Sequence, residues 1–145
     1  MSADLLLTIC NYTAMLGWLF LILLPRWQWT LSIISSGIIP FLLGLVYLAL
    51  LVSQISNLPE GGGFGSIAAL QTLFSNPYAM LAGFVHYLAF DLFIGAWEVK
   101  DAQDKAIPHW LVVPCLLFTF MVGPVGLVVY LIIRTARTKG LMVYA

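Results

Sequence analysis

Both histidines and four of the six carboxylates of this chain fall between Asn76 and His109, in a sequence that is otherwise nearly all apolar. His86 and Asp91 lie inside an uncharged run long enough to cross a bilayer. An ionisable group at that depth is unfavourable unless it faces protein or water, so such residues are functional candidates by default. The chemistry they suggest is acid–base. A buried carboxyl and an imidazole can pass protons to and from an apolar substrate that carries no charge of its own.

Helical geometry limits how these groups can combine. At 3.6 residues per turn, Tyr87, Asp91 and Glu98 share one face, whereas His86 points about 140° away from Asp91, beside Phe90, Phe93 and Trp97. A histidine–carboxylate dyad within one helix is therefore not implied by the spacing. His109, Asn11, Tyr12 or Tyr47 from other helices could complete either face. The bland alternative is that Asp91 and Tyr87 hydrogen-bond neighbouring helices while His86 caps a carbonyl. A metal site is disfavoured, because no H-x3-H pair is present and two histidines are too few for a membrane di-iron centre. Nucleophilic catalysis has no G-x-S-x-G or cysteine–histidine pairing behind it.

The elements that must position these residues follow from composition. Hydrophobic residues make up 62% and charged residues 8% of the 145, against roughly 25% charged in soluble domains, which is too little polarity for a water-facing surface. An integral membrane protein is expected. The scattered basic residues Arg26, Lys100, Lys105, Arg134, Arg137 and Lys139 form no stripe for a phosphate backbone, which argues against nucleic acid. Cys10 and Cys115 both sit in apolar runs and read as buried small hydrophobes.

Charges and turn residues divide the chain into four expected spans, about 5–25, 31–52, 77–97 and 110–133, within a single domain over 1–145. Between Asp4 and Arg26 lie 21 uncharged residues, enough to cross a roughly 30 Å core. Pro25 stops that helix, and Trp27 and Trp29 suit the headgroup level. Pro40 predicts a kink in the second span. The glycine-rich stretch Ser53–Gly65 lacks the lysine and threonine of a phosphate loop and reads as a connector, followed by a short interfacial helix whose apolar residues are Ile67, Leu70 and Phe74. Asn76-Pro77 reads as a capped start of the third helix. The charged run Glu98–Lys105 is expected to be wet, and 134–145 forms a basic tail. The fold class is thus an all-α membrane four-helix bundle with both termini on one side. Lysine and arginine counts balance across the two sides and leave orientation open.

The run HYLAFDLFIGAWEVKDAQDKAIPHWLVVPCLLFTFMVGPVGLVVYLIIR from His86, with the upstream GGGFGSIAALQTLFSNPYAMLAGFV from Gly61, resembles the abscisic-acid-deficient-four-like family of small four-helix membrane proteins. The residues matching its pattern are His86, Asp91, Trp97, Glu98, Asp101, Pro108 and His109. Ala96 stands where many relatives carry a basic residue, which removes a salt bridge near Glu98. Plant members of the family are implicated in making neoxanthin from violaxanthin in plastid membranes, and relatives occur in bacteria. The resemblance implies a carotenoid or similar polyene as partner, in a bacterial inner or photosynthetic membrane or a plastid membrane.

Converting a 5,6-epoxide to an allenic alcohol changes no oxidation state, so two side chains suffice and no cofactor is expected. On that reading His86, Asp91 and Glu98 are the catalytic candidates, with a carboxyl as acid and His86 as base or the reverse. Tyr87, Trp97, Asp101 and His109 are the ligand-binding candidates. A non-enzymatic alternative is a pigment-binding or accessory subunit that packs through its glycines against other membrane-complex subunits or a second copy. A transporter ranks below both, because no internal repeat is visible.

Overall fold

The computed structural model describes residues 2–138 and consists of helices connected by turns and loops. The elements are α1 (Ala3–Leu23), a single π-helical segment (Thr30–Ile34), α2 (Ile38–Gln54), α3 (Ile67–Phe74), α4 (Pro77–Asp104), α5 (His109–Val122) and α6 (Pro124–Thr138). Among the described residues, three stretches are long and apolar enough to cross a membrane, namely Ala3–Leu23, Ser32–Gln54 and Pro77–Asp104, and they mark the chain as a membrane protein. They coincide with the first three spans expected from charge spacing. Of the expected basic tail, residues 134–138 instead form the end of α6, with Arg134 buried, and Lys139 onward lies outside the described residues.

Local chemistry explains where the helices begin. Ser2 accepts a hydrogen bond from Leu5 N, Ser66 from Ala69 N, and Asn76 from both Tyr78 N and Ala79 N, each satisfying donors that a first helical turn leaves free. The break in the second span falls at Gly37, whose φ is 83°, rather than at Pro40. Pro40 occupies the first turn of α2, where its missing N–H would have lacked a partner anyway, so it bends nothing.

Helix α4 is the axle, packing against α1, α2 and α5. Two of its contacts with α1 are notches. Leu92 rests on Gly17, and the Trp18 indole rests on Gly95, where an added methyl would lie 2.6 Å from the ring. Small residues at these points let the two helices approach closely without any polar attraction.

The fourth span departs from expectation. Residues 110–133 do not form one crossing helix; they fold into a hairpin of α5 and α6 with Gly123 at its tip. Helix α5 leaves the C-terminal end of α4, and 14 residues carry it about 21 Å, half the length of the 28-residue α4. Helix α6 then returns, because Arg134 reaches back to within 2.7 Å of Asp101, near the end where α5 began. Gly123 has φ 52° and ψ −102°, a conformation that favours glycine, and Pro124 follows as a first helical residue that needs no N–H. Consequently Ser2 and Thr138 stand at opposite ends of the bundle, contrary to the expected even number of crossings. Hydropathy alone cannot separate one traverse from a descent and return of the same length.

The hairpin closes on Gly126. A methyl group there would overlap the Thr119 backbone nitrogen and Oγ1 and the Cys115 carbonyl oxygen. Gly44, in contrast, has nothing within 4 Å of an added methyl. Thermal unfolding in detergent should therefore show Gly126→Ala destabilised by about 1–3 kcal/mol or more. Gly44→Ala should match or slightly exceed the parent, since alanine favours the helix by about 0.5–1 kcal/mol. Equal melting of the two variants would contradict the close α5–α6 contact.

Candidate functional site

The polar residues of α4 separate into an interior set facing the hairpin and one residue facing outward. Tyr87, Asp91 and Glu98 do share a face, as helical spacing requires, and that face meets α5. The Tyr87 hydroxyl donates to the Phe120 carbonyl at 2.8 Å, and the Asp91 carboxyl lies beside the same tyrosine. Asp91 also abuts the hairpin tip. A methyl on Gly123 would sit 3.0 and 3.2 Å from its two oxygens, and Oδ2 is enclosed with no hydrogen-bond partner among the described residues.

About two and three turns further along, the enclosure is nearly complete. Glu98 is 0% exposed, and Thr119 Oγ1 lies 3.0 and 3.2 Å from its two oxygens as donor. Asp101 accepts from the Tyr130 hydroxyl at 2.6 Å and from Arg134 Nε at 2.7 Å, while the Trp97 ring meets Tyr130 edge-on. The run Glu98–Lys105 is therefore only half wet. Lys100 and Asp104 pair on the exposed side, whereas Glu98 and Asp101 turn inward to partners supplied by α5 and α6. Their burial was not visible in local sequence, because the donors come from 21 to 33 residues away.

His109 also serves an internal contact, with Nε2 2.9 Å from the Ile22 carbonyl oxygen at the end of α1. Four of the candidates drawn from the sequence for ligand contact, Tyr87, Trp97, Asp101 and His109, thus already engage the protein itself. Among the described residues no three His, Cys, Asp or Glu side chains converge as a metal-binding group.

His86 stands apart. It is exposed on the opposite side of α4, its ring tilted against Phe90 at 4.6 Å and toward the Tyr47 ring of α2 at 5.5 Å. It makes no hydrogen bond among the described residues. His86 and Tyr47 line a groove of about 560 Å³ between α2, α3 and the first half of α4, walled by apolar side chains such as Leu50, Leu73, Phe74 and Ala82. Helix α3 forms one side of it, held by Leu73. Sequence reasoning named His86 but not the wall that α2 gives this groove, which is spaced too far along the chain for periodicity to connect it.

If Arg134 and Asp101 hold the hairpin, removing one partner should be far more damaging than breaking the exposed pair. Arg134→Met leaves a buried carboxylate without its cation and should lower stability by about 3–5 kcal/mol. Lys100→Ala, at a pair whose side chains are 56% and 55% exposed, should change it by less than about 1 kcal/mol. Thermal unfolding in one detergent checks both, and similar losses for the two would argue against Arg134 as the anchor.

Comparison with known proteins bears out the family resemblance read from the sequence. No curated protein and no solved structure matches this chain. A family model described as ABA DEFICIENT 4-like matches residues 5–130, which takes in α1 through α5, the hairpin tip and Tyr130. The chain belongs to the ABA DEFICIENT 4-like family.

Proposed function

We propose that this is a multi-pass membrane protein of carotenoid metabolism that binds an epoxy-xanthophyll or similar polyene and isomerises its epoxide end group to an allenic alcohol without a redox cofactor. The observation that carries this reading is the groove between α2, α3 and α4. Among its described lining residues none is a carboxylate, and His86 is the one imidazole. A water-soluble substrate would find little to hold it there. A polyene gains from apolar contact alone, at about 25 cal/mol per Å² of surface removed from water or headgroups. Family membership supports the same substrate class.

The geometry favours His86 as the base. It faces the groove, whereas Asp91 and Glu98 project toward the hairpin, and Glu98, with no exposed surface, cannot touch a substrate in this conformation. These two carboxyls, weighed as the acid from the sequence, here meet α5 and the hairpin tip.

A second reading is a pigment-binding accessory subunit of a larger membrane complex. The open side of the groove favours it, since His86 and Phe90 are exposed and a bound pigment could be shared with a neighbouring chain. The two readings part on one experiment. In a strain that supplies an epoxy-carotenoid, His86→Ala should reduce formation of the allenic product by roughly 10²- to 10⁴-fold while pigment still co-purifies. Glu98→Gln, which can still accept from Thr119, should convert at close to the parental rate. A parent protein that retains pigment but yields no product would support the accessory reading, and one that neither retains nor converts carotenoid would overturn both.

A further inference from the structure

We infer that Tyr47 is a catalytic residue, the acid that complements His86 in the groove. This inference rests on the isomerase reading above. Removing a vinylic proton and opening an epoxide requires a donor on the oxygen as well as a base on the carbon, and neither Asp91 nor Glu98 faces this side of α4. Tyr47 does occupy it. It projects from α2 into the groove that His86 lines from α4, with ring centroids 5.5 Å apart and planes inclined at 55°. Tyr47 is half-buried, and its hydroxyl has no hydrogen-bond partner among the described residues, so its proton is not committed to the fold. Tyr78, the other phenol of the groove, sits more than two helical turns before His86 on α4. Tyr47 is the one whose ring contacts His86.

The two rings are also fixed in place by different walls. Phe90 packs against His86 with planes 31° apart, and Tyr47 is anchored one turn from Leu43 and Leu50, which are buried against α4. A substrate end group entering from the open side meets a phenol on one wall and an imidazole on the other.

The step balances with these two groups alone. A ring nitrogen of His86 takes the vinylic proton, and the electron pair of that C–H bond becomes the second double bond of the allene. The adjacent C–O bond of the epoxide breaks, and its oxygen receives the proton from Tyr47 to become the alcohol. Nothing is oxidised or reduced. The imidazolium and phenolate left behind are neighbours, and return of the proton from His86 to Tyr47 restores both for the next turnover. That resetting step is why the acid should lie beside the base rather than elsewhere in the groove.

The test compares Tyr47→Phe with the parent and with His86→Ala in native membranes containing an epoxy-xanthophyll, scoring allenic product, co-purified pigment and melting temperature. The expected result for Tyr47→Phe is a loss of product on the order of 10²-fold or more, with pigment retention and melting close to the parent, because phenylalanine preserves the ring and removes only the proton. Tyr47→Phe that converts at nearly the parental rate, while His86→Ala does not, overturns the role of Tyr47 and leaves the isomerase reading standing. Loss of pigment together with product makes Tyr47 a binding contact and also overturns the inference. No conversion by the parent overturns the isomerase reading itself, and with it the acid.

Discussion

One buried carboxylate sets the shape of this protein. Asp101, 9% exposed near the end of α4, is bonded by Tyr130 and Arg134 of α6, and Arg134 is itself 1% exposed. An arginine in an apolar chain needs either water or an anion. Here the anion lies at the end from which α5 departs, so the chain must come back to it. The hairpin follows from that requirement, as does its tip at Gly123, half-way along α4 and against Asp91.

The same constraint divides the labour among the polar groups of α4. The face bearing Tyr87, Asp91, Glu98 and Asp101 is spent on the hairpin, each group meeting α5 or α6. Since both helices pack on that side, the opposite flank of the first half of α4 is left to α2 and the short α3, which enclose the groove incompletely. His86 lies in the opening. Polar groups held by the fold and one held toward a cavity are thus products of a single packing arrangement, with the helical angle of about 140° between His86 and Asp91 keeping them apart.

Much of this was legible in the sequence, for identifiable reasons. The spans at 5–25, 31–52 and 77–97 were set by charge-free length, the start of α4 by Asn76-Pro77, and the amphipathic α3 by Ile67, Leu70 and Phe74. The face shared by Tyr87, Asp91 and Glu98 was fixed by helical period. What was not legible depended on distant partners. The apolar run from 110 to 133 has the length of a crossing, and only Gly123-Pro124 in its middle and Arg134 beyond it hint at a return. The inward turn of Glu98 and Asp101 depends on Thr119, Tyr130 and Arg134, and the groove depends on how α2 lies across α4. The break at Gly37 rather than Pro40 is a different lesson: proline distorts a helix only where its N–H would have been used.

The most direct test of this account is a distance across the hairpin. Spin labels at Trp110→Cys and Ala136→Cys, both exposed positions, can be measured by pulsed dipolar spectroscopy in a background lacking Cys10 and Cys115. Packed antiparallel helices have axes about 8–10 Å apart, so the account predicts a distribution centred below about 25 Å once label linkers are included. A single continuous helix would separate the two positions by about 39 Å, and a distribution centred there would contradict it.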